Sequence, residues 1–112
     1  LWSTDIATIR LDGSHLQIIA PGSTPTFSPD GQHIFYIGEG ELASHAELYM
    51  IDRVGGTPVQ ISHQQTYLTS PSFMPDGQQL LVLEESSLDQ TQFIAKFDLR
   101  TKKLQRLFNT FE

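Results

Sequence analysis

The stretch "PTFSPDGQHIFYI" (residues 25–37) returns as "PSFMPDGQQLLVL" (residues 71–83), with Pro71 standing 46 residues after Pro25. The match runs through the aromatic residue, the PDG triplet and the Gln into an apolar run. Within "FSPDGQ", Pro29 presets φ for the second turn position, Asp30 bonds to nearby backbone, and Gly31 takes the left-handed site that closes a type I turn with a bulge. Pro75, Asp76 and Gly77 repeat that hairpin chemistry. The flanking residues are therefore predicted to be paired antiparallel strands.

After each hairpin, "HIFYIG" and "QLLVLE" are apolar on consecutive residues, as in a strand covered on both faces. Phe27, Tyr36, Tyr49, Phe73 and Phe97 fall on these and neighbouring strands and read as core. A third run follows ("ELYMID", 47–52; "FIAKFD", 93–98), then a more polar fourth ("TPVQIS", 57–62; "KLQRLF", 103–108). Pro58 suits an outer edge, where a missing N–H leaves no ladder bond unmade. Each unit thus reads as four strands, A to D. Residues 6–19, "IATIRLDGSHLQII", match strands C and D of the same unit, with "LDGS" standing where the next unit has "VGGT". In the last unit the C–D turn is "RTKK", so a residue other than Gly must take a positive φ there or the turn must change type.

Four-stranded units of about 40 to 50 residues in series are blades of a β-propeller. The expected architecture is all-β: half a blade over 1–22, a full blade over 23–66 and another over 67–109. A β-sandwich is the competing arrangement, but it gives no reason for an internal copy at this offset. The PDG blocks, each followed by an "LYMID"-like strand and, in the first full unit, a GG turn, resemble the PD40 blades of TolB-like propellers from about residue 6 to 108. Met74 departs from the usual Ser and removes one turn-side hydrogen bond. The resemblance implies a periplasmic or otherwise extracytoplasmic location and three functional readings: a non-catalytic scaffold binding a protein or peptide, the accessory propeller of a prolyl-oligopeptidase-like serine peptidase, or a metal-dependent lyase of the oligogalacturonate type. About four to eight blades close a ring. Two and a half blades therefore imply further blades, supplied by a longer chain or by other copies through exposed blade faces.

A formal charge of −6 argues against a phosphate-tracking nucleic-acid binder. It also sits poorly with a polyanionic sugar substrate. Without cysteine there is neither a disulfide framework nor a thiolate metal site. The apolar runs fall far short of the ~20 residues that span a bilayer. No GxSxG elbow, phosphate loop or HExxH spacing is present, so no catalytic residue, cofactor or metal ligand is assigned.

In a propeller the B–C and D–A loops share one rim and the A–B and C–D turns the other. The loop rim carries "GEGELASHA" (38–46), "SHQQTYLTS" (62–70) and "EESSLDQTQ" (84–92). Loops on a rigid scaffold are favoured for binding. Glu39, Glu41, His45, His63, Tyr67, Glu84, Glu85 and Asp89 are the candidate contacts there. As a metal or basic-partner site they would need to converge; as solvated loop charge they would not. Asp30 and Asp76 are turn residues rather than a catalytic acid pair, and His15 and His33 flank turns on the opposite rim. Trp2 reads as packing over a blade edge or as an exposed anchor. The basic "LRTKKLQR" (99–106) reads as a solvated outer edge.

Overall fold

The computed structural model describes residues 4–42, 44–86 and 91–109, with the backbone alone described at 108 and 109. Ten strands are present and no helix is among the described residues: β1 (Asp5–Thr8), β2 (Gln17–Pro21), β3 (Ser23–Phe27), β4 (His33–Glu39), β5 (Ala46–Asp52), β6 (Val59–Gln60), β7 (Tyr67–Phe73), β8 (Gln79–Glu85), β9 (Gln92–Asp98) and β10 (Lys103–Asn109). They pair antiparallel in chain order as β1–β2, β3–β4–β5–β6 and β7–β8–β9–β10, a half blade and two whole ones. One parallel bridge, Ala46 to Tyr67, links the two whole blades into a continuous eight-stranded hydrogen-bonded sheet.

The doubled signature makes doubled turns. Ser28 N and Met74 N donate to the carbonyls of His33 and Gln79, and Gly31 N and Gly77 N donate back to Ser28 O and Met74 O. Both glycines have positive φ, 72° and 68°, which a Cβ would oppose. Ser28 Oγ also donates to Asp30 and accepts from His33 N; at Met74 those bonds are lost, and Gln79 Nε2 donates to Asp76 instead. In the "RTKK" turn Lys102 takes the positive φ, 62°, with its N–H on Asp98 O.

Packing follows from the parity of β4. Phe35 and Ile37 join Ala46, Leu48 and Ile61 against Leu68, Leu80, Val82, Ala95 and Phe97 of the next blade. Ile34 and Tyr36 turn the other way, with Ile51, onto Ile6 and Ala20 of the half blade. Phe35 meets Phe73 edge to face at 5.0 Å between centroids. β4 is thus buried on both faces, as its consecutive apolar residues predict.

Three expectations need correction. Phe27 is not core: it is 56% exposed, because β3 is the innermost strand and nothing described packs over that end of it. β8 is not buried on both faces; Leu80, Val82 and Glu84 are buried while Leu81 and Leu83 are only half-buried, because one face alone has a sheet against it among the described residues. The fourth strand of the second unit shrinks to Val59–Gln60. A feature the sequence reading did not include is a bulge in each inner strand, where Thr24 and Ser70, 46 residues apart and each preceding a Pro, take φ of 47° and 55°. Each such residue costs about 1–3 kcal/mol.

Phe97→Ala is expected to lose about 3–5 kcal/mol in urea unfolding, whereas Phe27→Ala, already in solvent, loses under about 1 kcal/mol. Equal losses would return Phe27 to the core. The turn carboxyls of Asp30, held down chiefly by the Ser28 hydroxyl, and Asp76, held down chiefly by the Gln79 side chain, lie below the ordinary carboxylate range. A depressed folded value means the stabilisation is complete above the unfolded value of about 3.9 and disappears as pH falls through the folded one. Replacing both acids with Ala should lower Tm at neutral pH, and the gap to the parent protein should narrow progressively as pH falls below the unfolded value of about 3.9.

Candidate functional site

The register places the predicted loop rim at one end of the blades. Ala46 N donates to Thr66 O, Ala46 pairs with Tyr67, Tyr67 pairs with Glu85, and Glu39 pairs with Ala46, so the end of β4, the start of β5, the 62–66 loop and the end of β8 lie together.

What stiffens this end is a carboxylate that sequence reasoning did not single out. Glu47, on β5, is 2% exposed and takes hydrogen bonds from the Ser62 hydroxyl, Gln64 N (3.2 Å) and Gln65 N (2.8 Å). Ser62 Oγ in turn accepts Leu48 N at 2.9 Å. Gln65 has φ 60°, so the carboxylate pins a backbone conformation that an L-residue seldom adopts. Its signal in the sequence was an acid inside an apolar strand, "ELYMID", just after the loop.

The candidate residues divide. Glu39 and Glu41 are exposed. His63 is exposed as well, its Nδ1 lying 3.1 Å from Gln60 Nε2. Tyr67 is half-buried against the inter-blade core, and Glu85 is half-buried at the end of β8. Asp89 and Trp2 lie outside the described residues. His45 is not an exposed loop residue but 9% exposed, and its Nδ1, like Thr66 Oγ1 on the adjoining loop, has no hydrogen-bond partner among the described residues.

Glu84 is a further correction. It sits within β8 at 2% exposure and forms a forked pair with Arg106 of β10, Nε to Oε1 at 2.8 Å and Nη2 to Oε2 at 3.2 Å, while the guanidinium lies 4.4 Å over the Phe93 ring. The residue that the basic "LRTKKLQR" stretch seemed to leave in solvent is thus half of a structural pair. Among the described residues no three His, Asp or Glu side chains converge to hold a metal ion.

A further concavity is on the other rim. A groove of about 530 Å³ runs between the half blade and the next blade, lined by Ile9, Arg10, His15, Phe27, Arg53 and Val54 among others. The signal available in the sequence was an Arg at the shoulder of the first two C–D turns, "TIRLDG" and "IDRVGG". Neither Arg was a candidate on sequence grounds.

Removing the Glu47 carboxylate leaves a hydroxyl and two amides without an acceptor. Glu47→Ala should cost about 3 kcal/mol or more in urea unfolding and speed amide exchange at Gln64 and Gln65; unchanged exchange there would mean the loop is held by something else.

No family model matches the chain, and no curated protein sequence matches it. Solved structures do. TolB from Agrobacterium tumefaciens superposes with a TM-score of 0.81 at 16% identity, over 94% of this chain and 41% of that one. The β-propeller domain of the Trilobed protease from Pyrococcus furiosus, described as having an open velcro topology, superposes with a TM-score of 0.67 at 19% identity, over 95% of this chain and 34% of that one. The chain therefore spans well under half the length of either. At such identities the likeness is one of fold. Strand order, register and both superpositions agree that the chain is a run of β-propeller blades, folded like those of TolB.

Proposed function

We propose that these blades belong to a non-catalytic, extracytoplasmic propeller scaffold whose loop rim binds a basic segment of a protein or peptide. The observation that carries this reading is the buried Glu47 carboxylate, which holds the 62–66 loop in one conformation beside the start of β5. A loop fixed before its partner arrives loses less entropy on binding. The charge supports a basic partner: the loops 38–46, 62–70 and 84–92 contain no Lys or Arg, while Glu39 and Glu41 stand in solvent. Unsatisfied buried atoms at His45 and Thr66 fall on the same end, and departures from full hydrogen bonding concentrate where function outweighs stability. The extracytoplasmic location rests on the TolB-like resemblance.

A dye-labelled Lys- and Arg-rich peptide should bind with an affinity that falls as salt rises, and its Gln-substituted twin should not bind. Glu39→Lys with Glu41→Lys should weaken binding by roughly tenfold without changing Tm. Salt-independent binding, or turnover of a peptide or pectin fragment by the chain itself, would overturn this reading.

A further inference from the structure

We propose that His63 is the residue of the loop rim that takes hold of the partner's main chain: its Nε2–H donates to a peptide carbonyl of the basic segment, and Gln60 and Tyr49 position the proton on that nitrogen. The assignment rests on the loop-rim reading above and names how the partner is recognised beyond its charge. The first reason is a chain of contacts with a fixed direction. Tyr49 OH donates to Glu39 O at 2.6 Å and lies 3.2 Å from Gln60 Oε1. Gln60 Nε2 donates to Ser62 O at 2.9 Å and lies 3.1 Å from His63 Nδ1. Only an N–H can face the Ser62 carbonyl, so the main chain orients the Gln60 amide, and His63 Nδ1, opposite the same nitrogen, must accept. A neutral imidazole that accepts at Nδ1 carries its proton on Nε2. His63 is exposed, and no hydrogen bond holds its Nε2 among the described residues. The chain of contacts thus ends in an uncommitted donor.

The second reason is that the members of this chain are held in place. The Tyr49 ring stacks on Tyr36 at 5.6 Å between centroids, and it passes so close to Gly38 that a Cβ there would come within 2.9 Å of it. Ser62 and Gln64, on either side of His63, both donate to the Glu47 carboxylate. A donor fixed before its partner arrives loses little entropy when it is used. The third reason is that the arrangement is not something every blade needs. The register sets Gln60 opposite Tyr49 in the second blade and Arg106 opposite Ala95 in the third, and there Arg106 serves Glu84 instead. Charge selects the acceptor. The rim loops contain no Lys or Arg and expose Glu39 and Glu41, so a carboxylate or phosphate would be repelled, whereas a peptide carbonyl has no net charge.

The test uses the 112-residue chain. In nitrogen-15 spectra of the imidazoles the His63 signal, identified by its loss in His63→Gln, should show the proton on Nε2, and Gln60→Met should release it into a mixture of both tautomers. His63→Ala should weaken binding of the Lys- and Arg-rich peptide about three- to tenfold, as loss of one hydrogen bond does, at unchanged Tm. His63→Gln, whose amide offers an N–H at a similar reach, should restore it. A linear polyamine of matched charge has no carbonyl, and both variants should bind it as the parent does. A proton on Nδ1, peptide binding that His63→Ala leaves unchanged, or an equal loss of polyamine binding would overturn the assignment while leaving the loop-rim reading standing. Failure of the parent chain to bind the peptide at all would overturn both.

Discussion

The structure depends on sheets lying face to face. A propeller blade is apolar on both sides, so its stability comes from neighbours rather than from its own ladder. β4 shows the constraint most clearly: its odd residues enter one inter-blade core and its even residues the other. Polar substitution on either parity would unseat one neighbour and leave the second in place. Among the described residues, the charged side chains admitted to these buried regions are Glu47 and Glu84, and both come with donors, as the desolvation of a carboxylate demands.

Those two carboxylates sit at the same end yet have different tasks. Glu47 reaches main-chain amides of a connection and so controls loop shape. Glu84 reaches a guanidinium on the outermost strand and so ties three strands of a blade across their width. One rim is consequently acidic in its exposed part, and the other is built of tight turns whose Asp side chains accept main-chain amides. The polarity of the blades is chemical as well as geometric.

Local features were legible from residues alone. The PDG turns, the need for a positive φ or a changed turn type in "RTKK", the Met74 departure and the antiparallel order of strands all follow from what a few adjacent residues permit. What could not be read depends on objects far away in sequence. Phe27 and the outer face of β8 look apolar enough for a core, but burial is decided by whether another sheet lies alongside. Glu84 looked like loop charge because its partner is 22 residues distant. The bulges at Thr24 and Ser70 had a visible sign, a Thr or Ser ahead of Pro at the same offset, but only the register with the second strand reveals the shift. The Arg groove needed two turns 43 residues apart to be placed side by side.

Among the described residues the two whole blades share a single main-chain bridge, from Ala46 to Tyr67, and otherwise pack through side chains. Each leaf therefore has a self-sufficient ladder and borrows only its solvent shielding. Such a linear arrangement behaves like a row of nearest-neighbour-coupled modules, in which assembly starts at any member and spreads sideways. Gene duplication can then lengthen or shorten the array by whole modules, because a new copy has only to present a complementary face, with almost no backbone to re-register.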